Sequence, residues 1–454
     1  MTMARPDQSS RRARLVAAVV WFYLLAVSAP RAWCQQLPTA PGAQVFDVTP
    51  KPGYFTEPSI AVNPHHPKQV VAAYQDNVHI AYSTDAGQHW DTADGTAPPD
   101  YRVSGDVSVT YDKHGHAILC YMAFDKLGTM NYWAHGASRS GLFVRRSLDG
   151  GKTWEAQDTT IIKHPTEPNI PFEDKPYIVA DDSGGPYAGN LYVGWTRWTL
   201  GDSQILLSRS TDDGKTWSEP LEINQQRGLP RDDNGALEGF SGAVGSDSTL
   251  YVVWGDGNGI AFTASHDGGR TFEPTRNIIQ TAPLMFVVEA VDRSNGFPVI
   301  AIDPRDNKLY LTWSDYRNGG VDVFCSTSND RGRTWSAPAR VNSDAIHDGA
   351  DHFFHWLAVD PKTGDAYVIF YDRRADPDNR KTRVTLARST DGGKSFVNYA
   401  WTQNDFDPGR IFMGDYTGIA AFDGHVYGAW TEKPPNTERA RDTVIRVGTA
   451  QFGK

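Results

Sequence analysis

The sequence predicts an all-β fold, a seven-bladed β-propeller whose blades are four-stranded antiparallel sheets. Three observations support this fold class. A short turn-forming pattern recurs six times along the 454 residues, each copy follows two strand-like runs, and a seventh pair of such runs follows the last copy. A unit that recurs at nearly constant intervals indicates a repeat architecture, and four antiparallel strands per unit are typical of a propeller blade. The 14 Trp residues suit sheets that pack face to face.

The recurring pattern reads S-x-D-x-G-x-(T/S/H)-(W/F), and successive copies lie 55 to 64 residues apart. Its aspartate can accept backbone N–H groups within a tight turn, and its glycine can adopt a positive φ. Its closing aromatic ring can pack beneath the turn. We therefore expect the six aspartates to lock hairpins and not to take part in catalysis. They are Asp85, Asp149, Asp212, Asp267, Asp330 and Asp391.

Each copy follows a run of small and β-branched residues and a second run that ends in an aromatic residue, as in 58–62 and 70–74. Asp, Gly and Pro separate the two runs, as hairpins require. The seventh unit, 417–452, holds three strands and no turn pattern. We expect residues 44–48 to supply its fourth strand, so that strands from both termini close the ring and leave no open sheet edge. A ring of six blades is the alternative.

The N-terminal segment reads as a secretory signal peptide covering residues 1–34. Three arginines, Arg11, Arg12 and Arg14, precede an apolar run over 15–29, and Ala32-Trp33-Cys34 offers a cleavage site. We expect a short linker over 35–43 and a single propeller domain over 44–454. The protein is therefore expected to be secreted or periplasmic, and whether Cys34 carries a lipid anchor stays open.

Charge and composition exclude several functions. A net charge of −10 argues against nucleic acid as a partner. The chain has no glycine-rich phosphate loop and no paired-cysteine metal site, so we expect neither a cofactor nor a metal. No apolar run is long enough to span a bilayer. We expect a monomer in which Cys120 and Cys325 are small buried side chains and do not form a disulfide.

One face of the predicted ring collects chemically useful side chains. The loops before each innermost strand and after each second strand share that face, opposite the repeated turns. These loops carry carboxylates, arginines, aromatic residues and histidines, a combination that could bind a sugar. Aromatic rings stack on the faces of sugar rings, and charged side chains bind sugar hydroxyls or an acid group. Ion pairs that hold neighbouring blades together are the alternative. The catalytic candidates are Glu57, Glu173, Asp174, Asp315, Asp372, Asp415 and Tyr416; the binding candidates are Arg197, Arg317, Arg373, Trp198, Tyr316, His352 and His355.

Three insertions are expected to rim this face, at 126–141, 281–295 and 376–383. Long loops on a rigid scaffold tend to carry recognition. The first contains Tyr132, Trp133 and His135, the second contains Phe286 and Glu289, and the third is highly charged.

The six turn patterns are the Asp-box, or BNR, signature, and on them the chain resembles the sialidase superfamily. The resemblance implies a propeller acting on carbohydrate, with an arginine triad for an acid group and a tyrosine nucleophile activated by a glutamate. Arg197, Arg317 and Arg373 stand at matching positions. Tyr316 or Tyr416 would be the nucleophile, with Glu57 or Glu173 as its base.

The first-blade arginine motif, R-I-P, is replaced here by Glu57-Pro58-Ser59. Sialidases also have six blades, so both departures argue against true sialidase activity. Two other interpretations of the function remain besides sialidase activity. A pair of carboxylates across a glycosidic bond would make a different glycoside hydrolase. A propeller without catalysis would recognise a glycan or a protein, or help to assemble one.

Overall fold

The structure, a computed structural model, describes residues 36–453 apart from 76, 94–100, 127–136, 166–170, 258, 403, 436 and 438. The predicted signal peptide lies outside the described residues. So do Tyr132, Trp133 and His135 of the first insertion.

Seven four-stranded antiparallel sheets form the propeller. The chain begins with β1 (Gln44–Asp47), which belongs to the last blade. Blade one contains β2 (Thr56–Val62), β3 (Val70–Gln75), β4 (His79–Ser83) and β5 (Asp91–Ala93). Blade two contains β6 (Val103–Tyr111), β7 (Ala117–Phe124), β8 (Ser140–Ser147) and β9 (Thr159–His164). Blade three contains β10 (Phe172–Ala180), β11 (Leu191–Trp198), β12 (Ser203–Ser210) and β13 (Leu221–Glu222).

The remaining blades repeat this order. Blade four contains β14 (Glu238–Val244), β15 (Leu250–Asp256), β16 (Gly259–Ser265) and β17 (Arg276–Ile279). A small hairpin follows, with β18 (Met285–Phe286) and β19 (Ser294–Asn295). Blade five contains β20 (Val299–Asp303), β21 (Lys308–Asp315), β22 (Asp322–Ser328) and β23 (Ala339–Arg340). Blade six contains β24 (His352–Val359), β25 (Ala366–Asp372), β26 (Arg383–Ser389) and β27 (Val397–Ala400). Blade seven contains β28 (Gly418–Phe422), β29 (His425–Glu432) and β30 (Val444–Gln451).

The ring closes as predicted. Strand β1 pairs antiparallel with β30, with Val45 opposite Gly448, and so provides the fourth strand of blade seven. Strand β2 of blade one packs against β28 and β29 of blade seven. The seven-bladed prediction is therefore confirmed, and closure by both termini covers the edge of β30 that would otherwise be unpaired.

The core consists of apolar layers between adjacent blades. The second strand of every blade carries a wholly buried aromatic residue near its end, because that position faces the neighbouring sheet. The seven residues are Tyr74, Tyr121, Trp195, Trp254, Trp313, Tyr371 and Trp430. Cys120 and Cys325 are buried free thiols, which confirms the prediction that they do not pair. The described residues contain no helix with the length and apolar character that a membrane span requires.

The six repeated turns share one hydrogen-bond scheme. In the turn around Asp267, the carboxylate accepts hydrogen bonds from Ser265 Oγ at 2.9 Å, from the Thr271 amide at 2.9 Å and from Thr271 Oγ1 at 2.6 Å. The Gly269 amide in turn donates to Ser265 Oγ at 2.9 Å. The carboxylates thus satisfy turn amides, as expected of a hairpin lock.

A bulge recurs in the innermost strands and aims side chains at the axis. The pairing register shifts in β2, β6, β10, β14 and β24, just before the strand becomes regular. At these bulges Glu57, Asp106 and Lys175 have φ values of 54°, 36° and 51°. A bulge redirects the side chain that it carries, and non-glycine residues with positive φ cluster at functional sites.

Candidate functional site

Five carboxyl groups from five blades meet at the mouth of the ring. Glu57, Asp106, Asp174 and Glu238 come from the start of the innermost strands of blades one to four, and Asp415 precedes that of blade seven. Each of them interacts electrostatically with at least one other member. We call these five residues the mouth cluster.

Three members form a hydrogen-bonded chain of carboxyls. Asp106 shares one hydrogen bond with Glu57 and another with Asp174. Backbone and ring donors hold this chain in place: the Lys175 amide donates to Asp106 at 3.0 Å, and Trp198 Nε1 donates to Asp174 at 2.9 Å. Carboxyls share hydrogen bonds in this way only when at least one of each pair carries a proton.

The electrostatics of the cluster favour protonated carboxyls. Burial and the neighbouring Asp415 raise the pKa of Glu57 to about 7. Burial and Asp106 raise the pKa of Asp174 to about 7. The pKa values of Asp106 and Glu238 lie well above their ordinary values, again through burial first and like charge second. Such carboxyls can act as proton donors near neutral pH.

Asp415 is the member with a strong counter-ion. Arg293 donates to both of its carboxylate oxygens, at 2.8 Å through Nε and through a second, shorter contact from its terminal nitrogen. The same guanidinium reaches Asp232 at 3.0 Å. The Asp415 amide donates to Glu57 at 3.1 Å, which ties the ion pair to the rest of the cluster.

Glu238 differs from the other members in its surroundings. It is 5% exposed, and no described residue donates a hydrogen bond to it. Its neighbours Asp232, Asp174 and Asp415 act on it through charge alone. A buried carboxyl without a hydrogen-bond partner is free to donate its proton to a bound molecule.

Beneath the cluster, an aromatic layer crosses the ring. Lys175 Nζ lies 4.7 Å from the Phe297 ring and 5.0 Å from the Tyr416 ring, so the side chain spans from blade three to blades five and seven. Trp356 contacts Tyr416 and Tyr177 with centroids 5.8 and 5.6 Å apart. Below this layer, the innermost strands line a channel of about 320 Å³ that runs toward the opposite face.

Tyr416 and His355 belong to this layer. The Tyr416 hydroxyl donates to the Val107 carbonyl at 3.3 Å, and burial and the nearby carboxyls hold its pKa well above the ordinary value. This position does not support a nucleophile. His355 contacts Ser314 Oγ at 2.8 Å, and burial lowers its pKa to about 4, so the ring is neutral.

Glu173 lies in blade three and outside the mouth cluster. It pairs with Arg197 at 2.6 Å on the adjacent strand and with His164 at 2.7 Å, and Trp195 Nε1 donates to it as well. Burial would raise the pKa of Glu173, but His164 and Arg197 outweigh it and lower the value. Arg197 and Glu173 therefore form an ion pair within blade three, whereas the predicted alternative was ion pairs between neighbouring blades.

Asp315 and Arg317 form a second such pair, in blade five. Arg317 Nε donates to Asp315 at 2.8 Å, and Trp313 Nε1 donates to the same carboxylate at 3.0 Å. The Arg317 guanidinium lies 4.7 Å from the Phe324 ring. Tyr316 between them is 42% exposed and packs edge-on against Phe286 at the rim.

Asp372, His352 and Arg373 lie in blade six. Asp372 pairs with Arg374 at 2.7 Å and with His352 at 3.3 Å. Burial opposes its charge, yet His352 and Arg374 lower its pKa strongly. Arg373 is buried and donates to Thr382 Oγ1 at 3.0 Å. The hypothesis that Arg197, Arg317 and Arg373 meet around one acid group has no support in these contacts.

One cluster of side chains near blade six has ligand atoms of the kind that bind a metal ion. Asp322, Asp344 and His352 bring ligand atoms within 4.8 Å of one another. Arg340 lies 3.2 Å and Arg374 3.7 Å from the Asp344 carboxylate. Two guanidinium groups thus already face this carboxylate, as in a structural ion-pair network.

Of the catalytic candidates predicted from the sequence, the structure brings Glu57, Asp174 and Asp415 together in the mouth cluster. Asp106, Lys175, Glu238 and Arg293 lie beside them and were not among those candidates. Asp106 and Lys175 stand at the bulges of β6 and β10, and Glu238 is the paired residue just before the bulge of β14. Arg293 comes from the insertion 281–295, which was expected to rim the face. Of the other insertion residues, Glu289 lies 3.7 Å from Arg410 at the exposed rim.

Known proteins resemble this chain in sequence and in fold. A curated sialidase of Bacteroides fragilis (strain YCH46) is 27% identical over 223 residues, which cover 42% of this chain and 36% of that protein. The endosialidase of phage phi92 superposes with a TM-score of 0.51 at 13% identity, over 91% of this chain and 69% of that one. The chain is thus similar to a sialidase in part of its sequence, and it has the β-propeller fold. An α-L-arabinofuranosidase of Fusarium graminearum, solved with an iminosugar inhibitor, has a TM-score of 0.48 at 15% identity, over 78% of this chain and 95% of that one. No family model matches the sequence.

The mouth of this propeller differs from what the resemblance to sialidases implies. Glu57 occupies the position where the R-I-P motif would place an arginine, and its carboxyl joins the mouth cluster. Among the described residues, Arg293 and Lys175 place cations at the mouth, and neither stands at the three arginine positions that the resemblance implies.

Proposed function

We propose that the protein is a glycoside hydrolase whose active site is the mouth cluster, with Glu238 as the general acid and Asp415 as the charged carboxylate. One observation carries this proposal. A buried carboxyl with a raised pKa, which has no hydrogen-bond partner among the described residues, lies near a carboxylate held by an arginine. Two carboxyl groups in opposite protonation states are what glycosidic cleavage requires.

The two groups have distinct roles. Glu238 donates its proton to the glycosidic oxygen, so that the leaving sugar departs as a neutral alcohol. Asp415 stabilises the positive charge that develops at the anomeric carbon, by attack on that carbon or by activation of a water molecule. Arg293 pairs with Asp415 and fixes its orientation. Asp106 and Glu57 are protonated in this arrangement, so they add little negative charge next to Asp415.

The test begins with a panel of fluorogenic glycosides and a glycan array. With a glycoside that the wild-type protein cleaves, Glu238→Gln should lower kcat by about 10²- to 10⁴-fold, the usual contribution of a general acid. Its loss should be small for the corresponding glycosyl fluoride, because fluoride leaves without a proton. Asp415→Asn should lower both activities. The matched control is Glu219→Gln, an exposed glutamate beside the outermost strand of blade three, which should keep both.

The other outcomes separate the alternatives. Equal losses on both substrates in Glu238→Gln would remove the acid role from that residue. Binding on the array without turnover of any glycoside would replace the hydrolase by a glycan-binding propeller. The absence of both turnover and binding on the array would argue against a carbohydrate as substrate or ligand.

We also propose that the protein works outside the cytoplasm, on the basis of the predicted leader over 1–34. Fractionation of cells that express the full chain, with N-terminal sequencing of the mature product, tests this. A product that starts at Met1 in the cytoplasmic fraction contradicts export.

A further inference from the structure

Beside the mouth cluster lies a pair of stacked aromatic rings that the proposed catalytic groups do not use. Tyr54 and Phe412 have ring centroids 6.4 Å apart and planes inclined by 29°. Tyr54 immediately precedes the innermost strand of blade one, and Phe412 precedes that of blade seven. Tyr54 is 40% exposed, whereas the aromatic residues of the blade cores are wholly buried. The pair therefore presents ring surface to solvent at the mouth.

Two contacts connect the pair with the proposed catalytic carboxylate. The Arg293 guanidinium lies 4.9 Å from the centroid of the Phe412 ring, and the same guanidinium holds Asp415. Tyr54 lies within the electrostatic reach of Glu57, since partial burial first and the ionised form of Glu57 second raise its pKa. The rings and the mouth cluster are thus parts of one continuous surface.

We propose that Tyr54 and Phe412 form a sugar-binding subsite next to the cleavage point, so that the substrate is a glycan of at least two sugar units. This inference rests on the proposed function. An aromatic face packs against the C–H face of a sugar ring, while the Arg293 and Asp415 side chains at its edge offer partners for hydroxyl groups. A purely apolar occupant would cover those two charged groups without giving them a hydrogen bond, which is unfavourable.

The rest of this face suits a long ligand. Five further exposed apolar side chains lie in its loops, from blade three to blade six: Leu200, Leu229, Val287, Tyr316 and Ile346. Each of these side chains offers an apolar contact to a ligand that extends from the mouth. A substrate longer than one sugar unit would pass from the mouth over such a surface.

The experiment compares two substrates of the sugar that the panel identifies. The disaccharide fills the neighbouring subsite with a second sugar, whereas the glycosyl fluoride leaves it empty. For Tyr54→Ala we expect the ratio of kcat/KM for the disaccharide to kcat/KM for the fluoride to fall by about tenfold, the size of one aromatic contact. Tyr54→Phe keeps the ring and should keep the wild-type ratio.

A matched control is Tyr187→Ala, in the turn between β10 and β11 on the opposite face. Tyr187 also has an arginine beside its ring, with the Arg270 guanidinium 5.6 Å from the centroid. Its replacement should leave the ratio at the wild-type value. A ratio unchanged in Tyr54→Ala would overturn the subsite while the hydrolase proposal stands.

If the wild-type protein cleaves no compound of the panel, the proposed function fails, and the same variants are compared on the glycan array. A wild-type signal that Tyr54→Ala weakens and Tyr54→Phe retains would support the rings as a sugar-binding surface. A signal that Tyr54→Ala leaves intact, or no signal at all, overturns it.

Discussion

Replacing Glu57 by glutamine should flatten the pH dependence of the stability of this propeller. Glutamine resembles the protonated carboxyl but cannot titrate. The pKa of Glu57 is raised from 4.5 to about 7 by burial and by Asp415. The folded protein therefore holds this proton more tightly than the unfolded chain does. The stability that it contributes is fully present below about pH 4.5 and is lost as the pH rises through about 7.

The magnitude follows from the shift. About 2.5 pKa units at 1.36 kcal/mol each correspond to about 3 kcal/mol of stability lost between pH 4.5 and pH 8. For a folded unit spanning Gln35–Lys454, an unfolding entropy of roughly 2 cal/mol/K per residue converts this to about 3 °C in Tm. The amide also loses an acceptor for either Gln75 or the Asp415 amide, so Tm of the variant shifts at every pH. The quantity to measure is how the Tm difference between wild type and variant changes with pH.

The assay is a thermal unfolding series from pH 4.5 to pH 8 at a fixed scan rate. Wild-type Tm should fall by about 3 °C relative to Glu57→Gln across this range. Asp391→Asn is the matched control, because hydrogen bonds within its turn outweigh its slight burial and lower its pKa to about 2, below the range scanned. Its curve should run parallel to the wild type. A difference between wild type and Glu57→Gln that stays constant within about 1 °C would refute the reasoning.

Three further outcomes are expected. Asp267→Ala removes four hydrogen bonds within its turn and should cost about 1–3 kcal/mol in a thermal melt while leaving glycan binding intact; lost binding with unchanged Tm would contradict the structural role. Arg197→Met leaves the buried Glu173 carboxylate without its arginine and should lower the free energy of unfolding in urea by about 3–5 kcal/mol. Adding Glu173→Gln to this variant should restore part of that stability, and no recovery would argue against the ion pair. Deleting Gln44–Asp47 exposes the edge of blade seven and should produce dimers or aggregates in size-exclusion chromatography; a stable monomer with wild-type Tm would show that ring closure contributes little.

The blade architecture was accessible from the sequence because each of its signals is local. The turn pattern around each of the six aspartates needs only neighbouring residues to form its hydrogen bonds. The aromatic residue at the end of each second run, such as Trp195, is buried against the neighbouring repeat, in this case the preceding one, which contributes Ile118 and Cys120. Even the closure by residues 44–47 could be predicted, because a blade with three strands leaves an edge that the chain must cover.

The site could be predicted only in part. Glu173 and Asp174 are adjacent in one loop, and both were candidates; yet Glu173 pairs inside blade three while Asp174 joins the mouth cluster. Adjacent residues of a strand point to opposite faces, and the bulge after Asp174 decides which of them faces the axis. The pattern of residue types does not reveal a shift of one position in register.

What the sequence by itself determined is the number of blades, their closure and the face that carries the charged loops, since these follow from local turn chemistry and from the period of the repeat. Only the tertiary structure decided which charges meet. Arg293 reaches Asp415 across 122 positions of the chain, and Arg197 is neutralised by Glu173 inside its own blade. The physical reason is that an ion pair depends on distance in space and on burial, and neither quantity is written in the order of residues along the chain.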